Sequence, residues 1–184
     1  MVPGVTETRQ AAPDPGDASA LSEREIGALA LAPLLAGNAV MAAAPSGGVG
    51  RAQEVAALAA AVTAAVAGAP PGSLLGTLAG AVRDLARQLQ SADGTVRLPG
   101  GAAEAKAAAL DACRAAAALL ASRAGAPDGA AYRAMVLDAA ARVAQAAREG
   151  GFLGIGGQQV SEAEQQVVDA LRDALGGPPD ADAR

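Results

Sequence analysis

The chain has 184 residues, a formal net charge of −5, no histidine, one cysteine, and two aromatic side chains, Tyr132 and Phe152. These counts exclude disulfide frameworks, Cys/His zinc sites and histidine-based acid–base chemistry, and the acidic balance lacks the clustered Lys and Arg that hold nucleic acid. Hydrophobic residues make up 52% of the sequence, but alanine supplies most of them, so helices must approach closely to bury much apolar surface.

Residues 1–20 lack the basic start and apolar run of a secretory signal and read as a disordered N-terminal tail. Ser22 followed by Glu25 is a capping-box pattern, in which each residue satisfies a backbone N–H of the other, and it opens a first helix running to about residue 44. From Ile26 onward this is the most apolar part of the chain. Pro33, Gly37 and Asn38 interrupt it, and its length is at the lower edge of a bilayer span, so a buried core helix is expected there. A second helix starts at Arg51 and sets Val55, Leu58, Val62 and Val66 on one face. The GAPPG at 68–72 stops it. Leu74, Leu75, Leu78, Val82, Leu85 and Leu89 then mark a third helix, with Arg83, Asp84 and Arg87 facing away.

The loop at 91–101, SADGTVRLPGG, is the natural boundary between two halves, 21–92 and 101–177, of one helical domain. Helix four covers 102 to about 124 and presents Leu110, Cys113, Ala117 and Leu120, and the GAPDG at 125–129 closes it. Helix five is expected from Ala130 to about Arg148, with Tyr132, Met135, Val136, Ala139, Val143 and Ala147 on its stripe. Ser161 and Glu164 form a second capping box ahead of helix six, which shows Val167, Val168, Leu171 and Leu175 and ends at Gly176 and Gly177. Residues 178–184 are a second tail. The fold class is therefore all-α, a six-helix alanine-rich bundle. The segments beginning at Leu29 and Val136 share an order of alanine-rich helix, glycine turn, valine and polar helix start. Two pseudo-repeated helix hairpins and a chance match of alanine-rich helices both account for that.

Reactive groups are sparse. Cys113 lies on an apolar stripe, where a small buried hydrophobe is the expected role. Asp93 and Glu149 stand alone in their loops, whereas a hard cation needs six or more converging oxygens. Glu162 with Glu164, and Asp169 with Asp173, are the carboxylate pairs that acid–base chemistry would need, yet first-turn acids suit a positive helix start and Asp169 has Arg172 within helical reach. The GGFLGIGG at 150–157 has no Lys-Ser/Thr and no preceding strand, so it is not a phosphate cradle. Its side chains Phe152, Leu153 and Ile155 make either an apolar wedge for a partner or a lid folded over the bundle end. A membrane contact through the wedge lacks an accompanying polybasic patch.

The stretch from Val143 to Gly176, with Val160, Ser161 and Glu164 as matching positions, resembles the second helix pair of the tellurite-resistance TerB-like helical family. The segment is also similar to actinobacterial helical proteins that carry a like GGFLGIGG, which implies no activity. The TerB-like resemblance implies a bacterial stress-response or envelope-associated role and an acidic, metal-associated turn. This chain has 150–157 where that turn would be, with apolar residues in place of acids. The expectation is a non-enzymatic, cytoplasmic helical interaction or scaffold protein with a protein partner, no cofactor, no metal and no nucleic acid. The alternatives are a bundle that binds a small apolar ligand, recognisable by a cavity on the order of 300 Å³, and a metal-responsive TerB-like protein.

Overall fold

The computed structural model describes residues 21–44, 46–90, 97–149 and 160–176, with the side chains of 89, 90 and 147–149 outside that description. Six helices account for most of these residues: α1 Glu23–Ala43, α2 Gly48–Ala67, α3 Leu74–Gln90, α4 Ala102–Arg123, α5 Ala126–Glu149 and α6 Glu162–Ala174. No strand occurs among the described residues, which form an all-α bundle of six helices.

Both capping boxes form. The Ser22 hydroxyl accepts the Glu25 N–H at 3.3 Å while Glu25 Oε2 accepts the Ser22 N–H at 2.7 Å. Ser161 and Glu164 repeat the arrangement at 3.2 and 2.9 Å. Gly176, with φ +72°, adopts the left-handed conformation that ends α6 and that other residues resist.

Two helix starts differ from the sequence expectation. α2 begins at Gly48, with Gly47 as its cap, ahead of Arg51. α5 begins at Ala126, ahead of Ala130, so Pro127 and Asp128 sit in its first turn instead of in a closing loop. Proline is harmless there because first-turn N–H groups have no intrahelical acceptor. Asp128 suits the positive end of the helix dipole, and its Oδ1 also accepts the Leu74 N–H at 3.1 Å, joining the starts of α5 and α3.

Similar cross-links set helix directions. Arg123 of α4 meets Glu25 of α1 at 3.4 Å, and Arg133 of α5 donates to the Leu175 carbonyl behind α6 at 3.0 Å. These contacts bring the end of α4 to the start of α1, the end of α6 to the early turns of α5, and the starts of α3 and α5 together. A single cluster of buried residues draws on all six helices. Its centre is α1, which packs chiefly on α4 and α5 and only lightly on α2. Small residues let the backbones close in. A Cβ on Gly37 of α1 would lie 2.6 Å from a Leu58 methyl of α2.

Pro33 is buried inside α1 and has no N–H, so the Leu29 carbonyl loses the helical donor it would otherwise have four residues on. The buried Tyr132 hydroxyl takes that place, donating to the Leu29 carbonyl oxygen at 2.8 Å. Burial pushes the Tyr132 phenol far above its ordinary range, and the adjacent Cys113 thiol adds to the effect. The hydroxyl is thus a permanent donor. Replacing Tyr132 by Phe leaves a buried carbonyl unsatisfied and should cost about 1–3 kcal/mol. In a Pro33→Ala background, where the helix regains its own donor, the same change should cost much less. Urea unfolding of the four variants measures this coupling, and an equal Tyr132→Phe penalty in both backgrounds contradicts it.

Candidate functional site

α2 forms one side of the bundle, and its neighbours do not cover it fully. Leu58, Val62 and Val66 face the core as the sequence stripe requires. Val55 lies within about 20° of Val62 and of Val66 around the helix axis at ~100° per residue, yet it is 49% exposed. The stripe is intact, and what is missing at the level of Val55 is a neighbour. Together with Val49, Val55 makes up the exposed large hydrophobic residues among the described part of the chain.

The space beside Val55 is an apolar groove of about 250 Å³ between α1, α2 and α3. Leu58 and Val62 of α2, Leu34 of α1 and Val82 of α3 are among the residues that line it. It stays open because the residues along it include Ala30, Ala59 and Ala86, whose methyl groups are too short to fill it. Arg51, Met41 and Leu98 line one end. Leu98 is positioned there by its neighbour Pro99, whose carbonyl accepts from Asn38 Nδ2 at 2.9 Å.

Arg51 is the charged residue lining the groove. Its guanidinium donates to Asn38 Oδ1 at 3.3 Å and makes no salt bridge among the described residues. A second, more polar hollow of about 250 Å³ adjoins the same guanidinium and is lined in part by Asn38, Ser46 and Gly100. Behind Ser46 lies Glu54, 1% exposed, whose Oε1 accepts the Ser46 hydroxyl at 2.5 Å. Its Oε2 is buried with no hydrogen-bond partner among the described residues. A wider hollow of about 350 Å³ opens near Leu21, Thr77 and Gly125, but its charged groups are already engaged, Asp128 by the Leu74 N–H and Arg123 by Glu25.

The expected contact residues Phe152, Leu153 and Ile155 lie outside the described residues. The other singled-out groups are in view. Glu164 is buried and committed to the Ser161 capping box, so Val160, Ser161 and Glu164 form the entry to α6. Asp169 accepts from Arg172 and from Gln165, each at 2.9 Å. Among the described residues no three His, Cys, Asp or Glu side chains gather as a metal site would require. Arg51 and its groove were not foreseen as a site. The one sequence signal for them is the run from Val55 to Gly72, which contains no charged residue.

Cys113 is fully buried in α4, as its stripe predicts, and burial pushes its thiol up to about 11, with nearby Arg114 pulling weakly the other way. No family model, curated protein or solved structure matches the chain.

The raised thiol pKa has a stability consequence. Above pH 9 the unfolded chain gives up the Cys113 proton while the folded chain keeps it, so unfolding is favoured as pH rises toward 11. The Tm should be flat near neutrality and fall through this window, and the fall should be shallower in Cys113→Ala. Equal slopes for the two proteins would remove the thiol as the cause.

Proposed function

We propose that the protein is a non-enzymatic binding protein that holds a small apolar ligand in the groove between α1, α2 and α3. The observation that carries this is Val55, a member of the core-facing stripe of α2 that stands half-exposed over a hollow lined by Leu34, Leu58, Val62 and Val82. A hydrocarbon occupant completes the missing neighbour and removes further apolar surface from water. The groove volume, about 250 Å³, is of the order expected for such a ligand. Support for a non-catalytic role comes from the state of the groups that chemistry would use. Cys113 is buried and held protonated, Glu164 is spent on a helix cap, and Asp169 is paired with Arg172.

A second reading, the interaction module, is favoured by Val49, 73% exposed on the outward side of α2. The adjoining Ala52, Ala56, Ala60 and Ala64 are also exposed and carry no charge, so a partner helix could lie close along this face. Val49 lies outside the groove lining, so the two surfaces can be tested separately.

A neutral hydrocarbon probe tests the ligand reading without presupposing a headgroup. Saturating 1-decanol should raise the Tm by about 5 °C, the shift expected for a ligand at ~100 times its Kd on a domain of this size. Ala59→Phe, which adds a ring at an exposed position on the groove wall, should keep its helical circular dichroism and lose the shift. An unchanged Tm in the unmodified protein, or the same shift in Ala59→Phe, would sink the proposal.

A further inference from the structure

The groove is apolar along its length and cationic at one end, and we infer that its ligand is a single-chain carboxylate of medium length, with the chain on Leu58 and Val62 and the carboxylate on Arg51. This inference rests on the proposed ligand-binding role and names the ligand class. Its first support is charge complementarity. Arg51 has five N–H donors, uses one weakly on Asn38 at 3.3 Å, and has no carboxylate partner among the described residues. Among the described residues it is also the charged group lining the apolar groove, so a ligand aligned with the groove meets positive charge from Arg51 at that end. An anion with oxygen acceptors is the natural match for a planar guanidinium.

The second support is shape. α1 contributes Ala30, Leu34 and Met41 in sequence along the groove, a span of roughly 16 Å at 1.5 Å per helical residue. A space of about 250 Å³ holds about eight methylenes, if each takes about the volume of a water molecule, ~30 Å³. The hollow is long for its volume, which suits one unbranched chain better than a fused ring system or a double-tailed lipid. At the Arg51 end it meets the polar hollow containing Asn38, Ser46 and Gly100, where a headgroup stays in contact with water. Carboxylate, not phosphate, fits the surroundings. Arg51 is a single cation and balances the one charge of a carboxylate, whereas a phosphate monoester carries about −1.5 to −2 at neutral pH.

Titration calorimetry of the full chain with hexanoate, octanoate, decanoate, dodecanoate and 1-decanol tests this. Affinity should rise about fourfold per methylene from hexanoate and then level off near the chain length that fills the groove. Decanoate should bind at least tenfold more tightly than decanol. Arg51→Met, which removes the charge at an exposed position, should erase that advantage. Ala59→Phe should abolish both. If decanol binds but decanoate is no tighter, or Arg51→Met weakens the two alike, the carboxylate assignment is wrong while the ligand-binding role stands. If neither binds, or if affinity climbs without levelling and ignores Ala59→Phe, the groove is not the site and both proposals fall.

Discussion

Tyr132 donates its buried hydroxyl to the Leu29 carbonyl that Pro33 leaves without a helical donor, and the bundle is arranged about that bond. Proline in a helix interior removes a hydrogen bond and costs about 3 kcal/mol, which an exposed helix can reduce by admitting water. α1 has no such route, because it is the central helix and the atoms around Pro33 are buried. The donor must come from another helix, and the only aromatic hydroxyl in the chain supplies it from α5. The bond holds the early turns of α5 against α1, and the Arg123–Glu25 and Arg133–Leu175 contacts bring α4 and α6 to the same end.

The remaining architecture follows from the size of the side chains. Where a glycine faces a larger side chain, the helices close until backbone and side chain touch, as at Gly37 and Leu58. Where three helices diverge, methyl groups cannot bridge the space, and Ala30, Ala59 and Ala86 line a trough instead of a sealed core. Close packing and an open groove are two results of one composition. In a bundle with larger side chains at those three positions, Val55 would be covered and the groove filled. At the Arg51 end of the groove the ionisable side chains are themselves hydrogen-bonded, Arg51 to Asn38 and Glu54 to Ser46.

Much of the fold was legible because it depends on local patterns. The Ser22/Glu25 and Ser161/Glu164 boxes mark helix starts through contacts within three residues, and the stripes on α3 and α5 match the buried residues Leu74, Leu75, Leu78, Tyr132, Met135 and Val136. The GAPDG was less transparent, since proline and glycine that break a helix interior are tolerated in a first turn, and only the contact of Asp128 with α3 explains why the helix begins there. The groove was hidden for a different reason. Val55 has the spacing of a core residue, and its exposure depends on where α3 runs relative to α2, which periodicity in α2 does not encode. Tyr132 was readable as a core residue, but its service to Leu29 joins positions 103 residues apart.

The claim at the centre of this account is that the space beside Val55 is a binding site. Methyl-resolved NMR of the full chain, labelled at Leu and Val, tests it most directly by titration with decanoate. The methyls of Leu34, Val55, Leu58, Val62 and Val82 should shift together and saturate, while those of Val167, Val168 and Leu171 in α6 stay in place. Shifts spread evenly over both sets, or confined to α6, would contradict the assignment of the groove.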